Sequence, residues 1–78
     1  MDTKYVIIFD ICFNCFNIVK LTKEELEASK KYAKFENFLL TLQDKYEFSL
    51  KNCQWLATDE FGIYRYESGN LASKESFV

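Results

Sequence analysis

The stretch KYVIIFDIC, residues Lys4 to Cys12, constrains the fold more than any other. Its β-branched and aromatic content marks a strand. Alternation puts Tyr5, Ile7, Phe9, Ile11 and Phe13 on one face, while Val6 and Ile8 begin the other, which turns polar at Asp10. A strand that is apolar on both faces belongs inside a sheet, with a layer or a partner over each face.

The rest of the chain supplies neighbours for that strand. CFNIVKL (Cys15 to Leu21) reads as a second strand, with Phe16, Ile18 and Lys20 on one side and Asn17, Val19 and Leu21 on the other. The connection falls near Phe13-Asn14, where Asn tolerates turn geometry. LTKEEL then carries the clearest local signal. Thr22 and Glu25 form a capping box, with Leu21 and Leu26 placed as its hydrophobic staple, so a surface helix starts at Lys23. Glu27 and Lys31 are spaced for an i, i+4 pair, and Lys30, Lys31 and Lys34 suit the end of a helix dipole. Phe35, Phe38, Leu39, Leu42 and Tyr46 share one helical face, which predicts a second helix over residues 35–46. Ser49 is placed to cap the turn that follows. Asn52 to Thr58 and Phe61 to Glu67 read as two further strands, joined by a hairpin with Gly62 as the candidate for positive φ.

The predicted order is ββααββ: a two-layer α+β domain, with an antiparallel four-stranded sheet and a helical pair on one face. Residues 1–67 form this single domain, and 68–78, small and polar, form a flexible C-terminal tail. At 78 residues, 49% hydrophobic and 18% aromatic, the balance is globular, with large rings providing buried area in a short chain.

The same composition narrows the function. There is no histidine, which removes the commonest general base and the commonest metal ligand. There is no glycine-rich phosphate loop either. The expectation is a protein that is not an enzyme and takes no cofactor. A net charge of −2 provides no field that attracts nucleic acid. The longest apolar stretch, Tyr5 to Phe9, is too short to span a bilayer, and no secretory leader pattern opens the chain. A reduced, cytoplasmic setting is the expectation, with no membrane partner.

Three constellations still invite a chemical reading. Cys12-x-x-Cys15 with Cys53 offers three thiolates for zinc, with Asp10 or Asp59 as an oxygen ligand. No glycine flanks the cysteines and no helix starts beside them, so the preferred reading is small buried side chains around a hairpin turn. Tyr64 and Tyr66, with Tyr5 and Phe9, raise a single-stranded nucleic-acid platform. Arg65 points away from those tyrosines, and Asp59, Glu60 and Glu67 surround them, so packing at the rim of a small core is preferred. Lys30, Lys31 and Lys34 are balanced by Glu24, Glu25 and Glu27, as on a solvated helix face.

One thin helical layer cannot cover both faces of the first strand. The expectation is a small protein–protein interaction module that occludes a protein partner, with self-association through the sheet (a homodimer) as one way to cover the second face. Tyr5, Ile8, Tyr64 and Tyr66 are the contact residues this reading selects. In composition the chain is similar to small accessory proteins of phages and mobile elements. That resemblance implies inhibition of host machinery by binding. The alternatives kept beside it are the nucleic-acid module using sheet aromatics and the zinc-stabilised domain using Cys12, Cys15 and Cys53.

Overall fold

The computed structural model describes residues 4–78. In chain order it comprises β1 (Tyr5–Asp10), β2 (Cys15–Lys20), α1 (Lys23–Ser29), α2 (Phe35–Leu40), α3 (Gln43–Tyr46), a 3₁₀ turn (Leu50–Asn52), β3 (Cys53–Thr58), β4 (Phe61–Glu67) and β5 (Asn70–Phe77). The class is α+β with antiparallel sheets. One sheet has three strands in the order β2-β1-β3, and β4 and β5 form a separate two-stranded ribbon. The first strand is therefore central, as its two apolar faces require.

The helical side of the three-stranded sheet holds the core. Val6 and Ile8 of β1 and Val19 of β2 pack against Phe38, Leu39 and Leu42, with Phe48 and Leu50 closing the far end. Asn14 turns the first hairpin at φ 50°, a left-handed conformation that Asn accepts more readily than most residues. Asp10 makes that turn rigid. It is buried, and its Oδ1 accepts from the backbone N–H of Cys12 (3.0 Å) and of Phe13 (3.2 Å).

α1 begins where the capping box predicts. The Glu25 N–H donates to Thr22 Oγ1 (3.1 Å), and the Thr22 N–H donates to Glu25 Oε1 (2.9 Å). The helix ends at Ser29, before Lys31, so Glu27 meets Lys30 at 3.5 Å in place of the expected Lys31. The expected second helix is interrupted. Thr41 Oγ1 donates to the Phe38 carbonyl (2.6 Å) at the end of α2, and α3 restarts at Gln43. A hydroxyl bonded back onto the preceding turn competes with helix continuation. α3 stops at Glu47, which is left-handed at φ 55°, and the Phe48 N–H donates to the Gln43 carbonyl. Ser49 sits at the N-cap of the 3₁₀ turn, but its side chain makes no capping bond.

The four-stranded sheet is replaced by three strands plus a ribbon. β4 follows β3 after Asp59-Glu60 but does not pair with it; it pairs instead with β5, from the segment expected to be a tail. Ser68 (φ 52°) and Gly69 (φ 80°) form the two-residue turn, and two successive positive φ values match the twist of a hairpin. Crossing the open face lets Phe61 and Phe77, stacked at 4.4 Å, approach the Tyr5 ring edge-on at 5.3 and 6.0 Å. The Tyr5 hydroxyl donates to the backbone oxygen of Val78 (2.9 Å). Gly62 does not have positive φ. A Cβ there would lie 2.8 Å from Tyr64 Cε1, so the glycine makes room for a ring. Much of the ribbon is exposed, and the Cα radius of gyration is 14.0 Å, against about 11–12 Å for a compact chain of this length.

Candidate functional site

The site is the side of the three-stranded sheet that faces away from the helices. Register builds it in rows. Lys20, Tyr5 and Thr58 form the first, Ile18, Ile7 and Leu56 the second, and Phe16, Phe9 and Gln54 the third. The ribbon packs on the first row, through Phe61 and Phe77 on Tyr5, and overhangs the second across a cleft. Beyond it Phe16 is 67% exposed and Leu56 60%, while Ile7 and Phe9 are half-buried. Ile11 prolongs the β1 column and is also exposed, its N–H donating to the Asn52 carbonyl.

Two hollows lie along this face. A cleft of about 240 Å³ runs under the ribbon between Ile7, Phe16, Ile18, Phe61 and Ile63. A shallower groove of similar volume lies across β3, between Ile7, Phe9, Phe16, Gln54 and Leu56. Phe16 borders both and packs on Phe9 with ring centroids 4.7 Å apart. Apart from Lys20, whose Nζ lies 5.8 Å from the Tyr5 ring centroid, the three rows carry no ionisable side chain except the Tyr5 phenol. The surface is suited to burial against another apolar surface.

Of the residues selected from sequence, Tyr5 lies in the covered first row, and Ile8, Tyr64 and Tyr66 lie off this face. Tyr5 is 4% exposed and Ile8 1%, so both are interior and present no surface to a partner. Tyr64 and Tyr66 are exposed on β4, apart from the three-stranded sheet. Tyr64 lies against Gly62 and under Lys74, whose Nζ is 5.4 Å from its ring. Phe16, Ile18 and Leu56, which the sequence reading did not select, are exposed apolar residues of this face. The alternation of β2 already put Phe16 and Ile18 on one side, but only the register with β3 adds Leu56 beside them.

The cysteines do not pack as small buried side chains around the first turn. Cys12 and Cys15 are exposed, and only Cys53 is half-buried. Register places Cys15 and Cys53 on either side of Asp10. Burial pushes the Cys53 thiol up, and the Asp10 carboxylate adds to that, so the thiol stays protonated and donates to the Ser49 carbonyl at 3.2 Å. Among the described residues, no three Cys, Asp or Glu side chains converge as a metal ligand set.

A polar cluster ties α1 to α3. Glu25 Oε2 meets Lys45 Nζ at 3.0 Å, and the Tyr46 hydroxyl donates to the same carboxylate at 2.9 Å. Burial raises the Glu25 pKa, but the bonds from the Thr22 N–H, Lys45 and Tyr46 outweigh it and hold the carboxyl below its ordinary value. The Glu25 hydrogen bond likewise raises Lys45, and burial followed by Glu25 raises Tyr46. Every partner here is intramolecular, so the cluster acts as a clasp between helices. No helix among the described residues is long and apolar enough to cross a membrane. Compared with protein-family models, with curated proteins and with solved structures, the chain shows no significant match.

Proposed function

We propose that the chain is a non-catalytic protein–protein interaction module that works by covering an apolar surface of its partner with the open sheet face. One observation carries this reading: Phe16, Leu56 and Ile18, with Ile11 just beyond the ladder, are exposed on a face whose second and third rows carry no ionisable side chain. An apolar patch shared by neighbouring strands is a liability unless something docks on it. An aromatic flanked by aliphatic side chains and hollows is the composition of an interface anchor.

The test is the double variant Phe16→Glu with Leu56→Glu. Both side chains point to solvent, so its circular dichroism and melting temperature should match the parent closely. A partner retained stoichiometrically by the parent, and identified as the same protein in repeated purifications, should be lost by the variant. Equal retention by both proteins overturns the reading. The nucleic-acid alternative fits the geometry less well, since Phe9 and Phe16 pack on each other and Lys20 is the one cation in the three rows. Salt-sensitive oligonucleotide retention that is lost in the variant would favour it over the protein reading.

A further inference from the structure

Resting on the open face as the docking surface, we infer that its occupant is a second copy of this chain, packed face to face about a two-fold axis beside Phe16. Charge permits this occupant. The chain carries a net charge of −2, yet the second and third rows of the face contain no ionisable group. Two identical faces therefore meet without placing like charges opposite one another, and a charged partner finds nothing there to pair with.

Shape points the same way. Phe16 stands between two hollows that it shares with Ile7, one under the ribbon and one across β3. A two-fold contact needs a surface that complements itself, and a ridge beside a hollow meets that need. Each Phe16 fills a hollow of the other copy, with the two sheets about 10 Å apart, as in sheet-on-sheet packing. The helices then lie outside, and the interior is two sheets thick.

Area sets the size class of the contact. Taking ~150–250 Å² for a whole aromatic side chain, with less for aliphatics, the exposed fractions of Phe16, Leu56, Ile11 and Ile18 amount to on the order of 400–500 Å² per copy. Both copies together bury roughly 800–1,000 Å², at or just under the lower bound for a specific interface. An interface of that size belongs to the weak, transient class, and the dimer we infer separates on dilution.

The experiment uses the full chain with Phe16→p-benzoylphenylalanine for photo-crosslinking, beside the parent and Phe16→Glu in light scattering over a concentration series. The expected result is a mass that rises toward twice the monomer with concentration. Adducts should join position 16 to Ile18, Leu56 or Ile63 of another copy, and Phe16→Glu should associate about tenfold more weakly or worse while keeping its circular dichroism. A parent that stays monomeric without adducts between copies overturns the second copy as occupant. So does a dimer that Phe16→Glu leaves intact. Irradiation in the native host then separates the two ideas: an adduct to a different polypeptide leaves the docking face standing, and no protein adduct from position 16 removes both.

Discussion

Asp10 shows how one side chain can hold a turn that carries an apparent motif. Its Oδ1 satisfies two backbone N–H groups, and it is buried between the strands that bear Cys15 and Cys53. Asp10→Ala strands those donors and should cost about 1–3 kcal/mol. In a domain of this size that lowers the melting temperature by several degrees, which thermal unfolding resolves; Asp10→Asn keeps an acceptor and should lose less. Glu25 makes a second prediction, in pH. Its folded pKa lies below its ordinary 4.5, so its contribution is full above that value and fades as pH falls through the folded pKa. Glu25→Gln should therefore melt below the parent at neutral pH, with the gap closing under acid; a gap that does not change with pH removes the charge from the account. The Thr22–Glu25 half of this cluster was legible because its partners lie within one helical turn. Lys45 and Tyr46, about twenty residues further on, were not, because only tertiary packing brings them there.

The ribbon belongs to the scale of the element. A two-stranded hairpin on its own is marginal in water, and among the described residues β4–β5 has no third strand. Its anchor is the ring trio of Tyr5, Phe61 and Phe77 together with the Tyr5–Val78 hydrogen bond. Each aromatic pair contributes about 0.5–1.5 kcal/mol beyond the area it buries. Tyr5→Ala should therefore free the ribbon before the sheet. In hydrogen exchange, β4 and β5 amides should lose protection while those of β1 stay slow. Tyr5→Phe keeps the rings, loses one hydrogen bond and should change protection only slightly. Equal loss of protection in ribbon and sheet under Tyr5→Ala would show that the two unfold as one unit. The sequence hid this element for a physical reason: NLASKESF has weak strand propensity, and its partner β4 was already assigned to another neighbour. The Ser68-Gly69 pair was the available signal, since such dipeptides mark tight turns. Gly62 misled because a glycine that makes space for a ring looks, in sequence, like one chosen for positive φ.

For the whole molecule, the two apolar faces of β1 were legible from alternation alone, and so was the need to cover both. Which residues form the uncovered part was not, because that depends on where the ribbon crosses and on the register of β3. The helices close one face, the ribbon closes the Tyr5 end of the other, and the remainder around Phe9 and Phe16 is the part we propose a partner covers. This division predicts how association responds to salt. Coulombic contacts weaken as ions screen them, and a nucleic-acid complex loses affinity steeply with salt through counterion release. Contact through the Ile18–Ile7–Leu56 and Phe16–Phe9–Gln54 rows has no charge to screen, and excluded salts such as sulfate strengthen apolar burial. Sedimentation of the full chain should therefore show association that sodium chloride leaves unchanged and sodium sulfate tightens. Association that weakens progressively with either salt would place the contact on charged surfaces, such as the lysines and glutamates of α1, and away from the sheet face.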